Sequence, residues 1–133
     1  TMDEAFTRYL RKSAPGWVPK VNVDFAEGIR VIHEAGGLAV MAHPGLNKID
    51  HLIPRMVEAG LDGIECWHTK HPKSTAKRYR EMAARLGLLI TGGSDCHGPS
   101  TGRHPLIGTV HVPYRILDEM KHRLAGSTTR SQI

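Results

Sequence analysis

The stretch Leu38-Ala39-Val40-Met41-Ala42-His43-Pro44-Gly45 opens with five apolar residues in a row, then meets a histidine and a turn. A short apolar run without polar alternation is the pattern of a strand covered on both faces by helices. Upstream, Asp24 is followed three residues later by Glu27, a capping-box pattern, and Phe25, Ile29, Ile32 and Ala35 form an apolar stripe that stops at Gly36-Gly37. Downstream the same grammar repeats. A helix is expected from about Asp50 to Ala59, closed by Gly60, then a strand Gly63-Ile64-Glu65-Cys66-Trp67. A helix from Ser74 to Leu86, closed by Gly87, leads to a third strand, Leu88-Leu89-Ile90-Thr91.

Strand starts at Leu38, Gly63 and Leu88 are evenly spaced, the rhythm of consecutive βα units with parallel strands side by side. The fold class is therefore α/β. A fourth strand is expected over Ile107 to Val112 and a last helix carrying Ile116, Leu117, Met120 and Leu124. At the start, Ala5, Phe6, Tyr9 and Leu10 sit at helical spacing, and the polar tail from Gly126 to Ile133 reads as disordered. The 133 residues, 40% of them hydrophobic, suit one domain unit over residues 1–125.

No run reaches the roughly 20 apolar residues of a membrane span, and no basic-then-apolar leader opens the chain, so a cytoplasmic location is expected. Two cysteines, Cys66 and Cys96, are too few for a disulfide scaffold and read as reduced thiols. The net charge of +5 suits an anionic substrate. With only 5% aromatic residues there is no stacking platform for long nucleic acid.

Nine histidines are the unusual feature of this composition. Parallel strands bring their C-terminal ends to one edge, where α/β proteins place their sites, so His43, the segment Glu65 to His71 and the segment Asp95 to His97 should meet there. In Gly92-Gly93-Ser94-Asp95-Cys96-His97-Gly98, an extended chain would point Asp95 and His97 the same way. A carboxylate and an imidazole suit Zn²⁺, Mn²⁺ or Fe²⁺, and flanking glycines permit close backbone approach. An Asp that caps a turn beside an exposed His would look the same in isolation. His43 could ligate metal or be a hydrogen-bonded core residue. His68, Lys70 and His71 could hold phosphate oxygens or protonate a leaving group, and Glu65 could reach the site or lie in a buried ion pair. Arg103 and His104, in the loop from Gly98 to Pro105, are candidates for anion contact. His33, His51, His111 and His122 fall away from this edge and receive no function.

Taken together, Ala-Gly-Gly-Leu-Ala-Val-Met-Ala-His-Pro-Gly at 35–45, Gly-Ile-Glu-Cys-Trp at 63–67 and Gly-Gly-Ser-Asp-Cys-His-Gly at 92–98 resemble the later motifs of the PHP (polymerase and histidinol phosphatase) superfamily of phosphoesterases. The resemblance implies a distorted (βα)7 TIM-like barrel with two or three divalent metal ions, Mn, Zn, Fe or Mg. It implies that His43, Asp95 and His97 are metal ligands, with Asp95 and His97 central to catalysis, and that His71 contacts the substrate phosphate. Small phosphoesters, nucleotides such as 3',5'-bisphosphates and short oligonucleotides are the implied substrates; long duplexes and membranes are not. The family opens with an HxH motif, and nothing before His33 supplies it, so the chain reads as the C-terminal portion of the domain, inactive by itself. Two other readings fit: an amidohydrolase-like hydrolase of C–N bonds, whose barrels also place His and Asp ligands at strand ends, and a catalytically inert module.

Overall fold

The computed structural model describes residues 1–19, 21–98 and 106–130. In chain order the helices are α1 (Met2–Ala5, running on as a π-turn over Phe6–Leu10), α2 (Phe25–Glu34), α3 (Pro44–Asn47), α4 (Ile53–Glu58), α5 (Lys73–Leu86) and α6 (Arg115–Arg130). Three strands, β1 (Val40–Met41), β2 (Gly63–His68) and β3 (Leu89–Gly93), form one parallel sheet in the order β1-β2-β3. The βα alternation is thus the one expected.

Packing follows from the apolar pattern. Ile29 of α2, Met41 of β1, Ile53 of α4, Ile64 and Cys66 of β2, and Tyr79 and Ala83 of α5 share one buried cluster. Ile53, Ile64, Cys66, Tyr79 and Ala83 have no exposed surface at all. Burial raises the Cys66 thiol to a pKa of about 12, so it stays protonated. The Tyr79 hydroxyl donates to Asp50 Oδ1 (2.7 Å), and the Arg78 guanidinium completes the group at 2.8 Å from Asp50 Oδ2. That contact ties the segment after β1 to helix α5. At the other end of the sheet, Asp62 Oδ2 accepts the Ala39 N–H (2.7 Å) and pairs with His33 Nε2 (2.7 Å), fixing where β1 and β2 begin.

Several details differ from the sequence reading. Strand β1 spans only Val40 and Met41, because the chain turns left-handed at His43 immediately after Ala42. Helix α2 starts where Asp24 places it, but the capping box does not close: Glu27 turns instead to Arg30, accepting from its Nε at 2.8 Å. The segment from Asp50 begins as a 3-10 turn (Asp50–Leu52) and becomes α-helical only at Ile53. Ile107 to Val112 is no strand. Gly108 sits at φ 80°, and the Thr109 hydroxyl donates to the Leu106 carbonyl (2.6 Å), so local bonds close a turn where the β-branched composition suggested a ladder. Helix α6 continues past Gly126 to Arg130, into the stretch expected to lack structure.

Expected outcome for the core: Ile64→Ala lowers stability by about 2–5 kcal/mol, the range for emptying a fully buried site. Val18→Ala, at a side chain 77% exposed, changes it by less than about 0.5 kcal/mol. Urea unfolding of the two variants checks this.

Candidate active site

The C-terminal ends of the three strands carry the histidines and the acid, and the strands end there for a reason. Register is regular from Gly63 opposite Leu89 to Glu65 opposite Thr91, then Trp67 stands opposite Gly92 and His68 opposite Gly93. Cys66 is the extra residue of a β-bulge. Bulges bend the strand and re-aim the side chains beyond them. The Cys66 carbonyl, at the residue set out of register, accepts a hydrogen bond from His71 Nδ1 (3.0 Å).

Three imidazoles then pack in a row. The His43 and His68 ring centres are 5.6 Å apart, those of His68 and His71 5.2 Å, and the Tyr79 ring closes the row 5.6 Å from His71. Their partners fix the tautomers. Lys70 N–H donates to His68 Nδ1 (3.1 Å), which places the His68 proton on Nε2. His71 Nδ1–H is committed to the Cys66 carbonyl, which leaves a lone pair on Nε2. His43 Nδ1, His68 Nε2 and His71 Nε2 are all buried without a hydrogen-bond partner.

Asp95 and His97 follow β3, but not in the extended conformation that the sequence suggested. The strand stops at Gly93, Asp95 is left-handed with φ 54°, and the His97 ring folds back so that Nδ1 donates to the Asp95 carbonyl (2.7 Å). The two side chains still meet, with Asp95 Oδ1 3.8 Å from His97 Nδ1. Asp95 Oδ2 lies 3.6 Å from His68 Nε2. The Thr69 hydroxyl donates to the Ser94 carbonyl (3.2 Å), anchoring this turn to the end of β2. Backbone N–H groups, that of Gly98 foremost, hold the Cys96 thiol below its ordinary pKa.

His43 is also left-handed (φ 31°, ψ 58°). Its N–H donates to Glu65 Oε2 at 2.8 Å. Four non-glycine residues among those described have positive φ, and two of them are the candidate ligands His43 and Asp95. Such a conformation costs on the order of 1–2 kcal/mol per residue and persists where neighbours enforce it, which is typical of functional sites.

Of the expected site residues, His43, His68, His71, Asp95 and His97 come to one edge. Among the described residues no three His, Cys, Asp or Glu side chains are arranged to hold a metal by themselves. His68 and His71 are buried, Lys70 is exposed with its backbone rather than its ammonium engaged here, and Arg103 lies outside the described residues, as does His104. Sequence reasoning missed the Asp50–Tyr79–Arg78 group and the role of Gly45. A methyl group at Gly45 would stand 2.8 Å from His71 Nε2 and 3.3 Å from Thr75 Cγ2. Only the Pro44-Gly45 turn beside an apolar strand pointed toward it.

No protein-family model matches the chain. A phosphoribosyl 1,2-cyclic phosphate 1,2-diphosphodiesterase from Eggerthella lenta is 48% identical over 86 residues, 65% of this chain and 32% of that protein. A 3',5'-nucleoside bisphosphate phosphatase from Chromobacterium violaceum is 32% identical over 84% of this chain and 41% of its own length. The Escherichia coli 5'-3' exoribonuclease Rnm is 29% identical over 74% of this chain and 36% of its length. A crystal structure from Bifidobacterium adolescentis, described as a metal-dependent phosphoesterase, superposes with a TM-score of 0.70 at 32% identity, covering 92% of this chain and 44% of that one. The chain belongs to the PHP superfamily. It spans less than half the length of each of these relatives. Another solved structure, an amidohydrolase from Chromobacterium violaceum with bound sulfate, superposes with a TM-score of 0.65 at 30% identity. No helix among the described residues is long and apolar enough to cross a membrane.

Expected outcome for the site: Gly45→Ala costs about 1–3 kcal/mol, since His71 is held from both sides and cannot yield to the added methyl. Gly28→Ala, inside α2 with nothing within 4 Å of the new methyl, instead stabilises by about 0.5–1 kcal/mol. Thermal unfolding of the pair, with His71 ring resonances followed by NMR, separates the two effects.

Proposed function

We propose that the chain is a portion of a distorted (βα)7 barrel that hydrolyses phosphate esters with the help of divalent metal ions. The observation that carries this is the meeting of two left-handed strand-end turns, at His43 and at Asp95-Cys96-His97, over buried imidazole nitrogens, His43 Nδ1 and His71 Nε2, that have no hydrogen-bond partner. Leaving such a nitrogen unpartnered costs about 1–3 kcal/mol, a cost that a ligand at this edge relieves.

The donor chemistry fits a metal centre. Asp95 is an exposed carboxylate, and His97, with its proton held on Nδ1 by the Asp95 carbonyl, presents the Nε2 lone pair outward. His43 would complete this chain's share, and further ligands would come from outside it. The cations, two or three of Mn, Zn, Fe or Mg, would supply Lewis acidity, making water a better nucleophile and neutralising charge on phosphate oxygens. His71, fixed between the Cys66 carbonyl, the Tyr79 ring and Gly45, would steady the phosphate; donating to an oxygen through Nε2 requires that nitrogen to carry a proton as well. His68 is sealed beneath the site and acts on Asp95 rather than on substrate. Small phosphoesters, nucleotides such as 3',5'-bisphosphates, or the end of a short oligonucleotide suit a site at one sheet edge of a basic chain. The phosphodiesterase, phosphatase and exoribonuclease names of its relatives support the same class.

A second reading, hydrolysis of C–N bonds, is favoured by the amidohydrolase neighbour. Assaying the full protein on a 3',5'-bisphosphate and on amides side by side separates the two.

Expected outcome: Asp95→Asn in the full protein lowers phosphoester hydrolysis by more than the roughly 100-fold typical of a ligand's outer partners and lowers bound metal measured by elemental analysis. Unchanged activity and metal content would remove Asp95 from the site.

A further inference from the structure

We propose that Glu65 is a positioning residue that holds His43 in its left-handed turn, and is neither a metal ligand nor a substrate contact. The proposal rests on the reading of His43 as a metal ligand.

Glu65 is the one charged residue of β2, the strand flanked on both sides in the sheet. Its Oε2 accepts the His43 N–H at 2.8 Å, across to the end of β1. Ladder pairing between β1 and β2 ends at Met41 opposite Ile64, so the His43 amide lies beyond the last paired residue of β1, and the carboxylate meets it there. A carboxylate accepting a backbone N–H makes a charge-assisted bond, stronger than a neutral one. The bond therefore acts on a residue whose backbone needs outside support, since a β-carbon disfavours φ 31°.

The second oxygen is confined as well. Oε1 lies against Gly93, where a β-carbon would approach it to 3.2 Å. Glycine at the end of β3 leaves room for the carboxylate to reach across to β1. From within β2, Glu65 thus reaches the chain just beyond the end of β1 and lies beside the last residue of β3. Its position just before the bulge matters: the regular part of the ladder, up to Glu65 opposite Thr91, fixes its backbone, while the residues after Cys66 are re-aimed.

The test compares wild type, Glu65→Ala and Glu65→Gln in the full protein, by Mn²⁺ titration and by amide exchange at His43. Glu65→Ala should weaken Mn²⁺ binding about 10–100-fold, the usual effect of losing a ligand's outer partner. It should also speed His43 amide exchange by about tenfold or more as the hydrogen bond is lost. Glu65→Gln keeps an oxygen that can accept the same N–H and should restore both to within about threefold of wild type. Unchanged Mn²⁺ affinity and exchange in Glu65→Ala would overturn the proposal. So would a Glu65→Gln variant that protects the His43 amide yet binds Mn²⁺ as poorly as Glu65→Ala, because the charge itself would then be the ligand. If wild type binds none of Mn²⁺, Zn²⁺, Fe²⁺ and Mg²⁺ the phosphoesterase reading falls, and the exchange rates alone still decide whether Glu65 holds the turn.

Discussion

A strand with neighbours on both sides can carry a charge only where some polar group comes to meet it, and in β2 that meeting is the bond between the Glu65 carboxylate and the His43 N–H. Much of the edge depends on it. The apolar half of β2, Ile64 with Cys66, faces the packed cluster of α4 and α5, so the strand cannot shift to relieve the charge. The chain after β1 must instead turn toward it, and Pro44-Gly45 carries the backbone away at once, close enough to His71 that no β-carbon fits. His71 in turn takes the carbonyl set out of register by the bulge.

Much of this was legible in the sequence, and for physical reasons. The alternation of apolar runs with helix stripes ending in glycine reports burial and backbone handedness, which local residues determine, so β1, β2, β3, α2 and α5 fall close to their expected places. The strand-end rule brought His43 and Asp95-His97 to one edge. What the sequence did not disclose depends on contacts made only after folding. The bulge at Cys66 exists only in the pairing of β2 with β3, and the left-handed turns at His43 and Asp95 go against the general preference for negative φ in residues with a β-carbon. The reading of Asp95 and His97 as neighbours therefore rested on an extended geometry that the structure replaces with a turn.

The misread elements have equally local causes. Ile107 to Val112 has strand composition, yet a glycine of positive φ and a threonine hydroxyl able to bond its own backbone are enough to close it into turns. Asp24 and Glu27 have capping-box spacing, yet an arginine one turn ahead offers Glu27 a charged partner in place of a backbone amide. In both cases a pairwise signal was overridden by a neighbour that the pattern does not include.

The bulge divides β2 into two segments that answer to different demands. Gly63 and Ile64 are in register with β1, and Gly63 to Glu65 with β3, whereas Trp67 and His68 pair with β3 one step out of phase. The bulge re-aims this outer segment toward the edge, while Trp67 still packs against the core cluster and His68 is buried. Such a joint lets the rim of the sheet take up its own geometry without disturbing the register of the segment that carries Glu65.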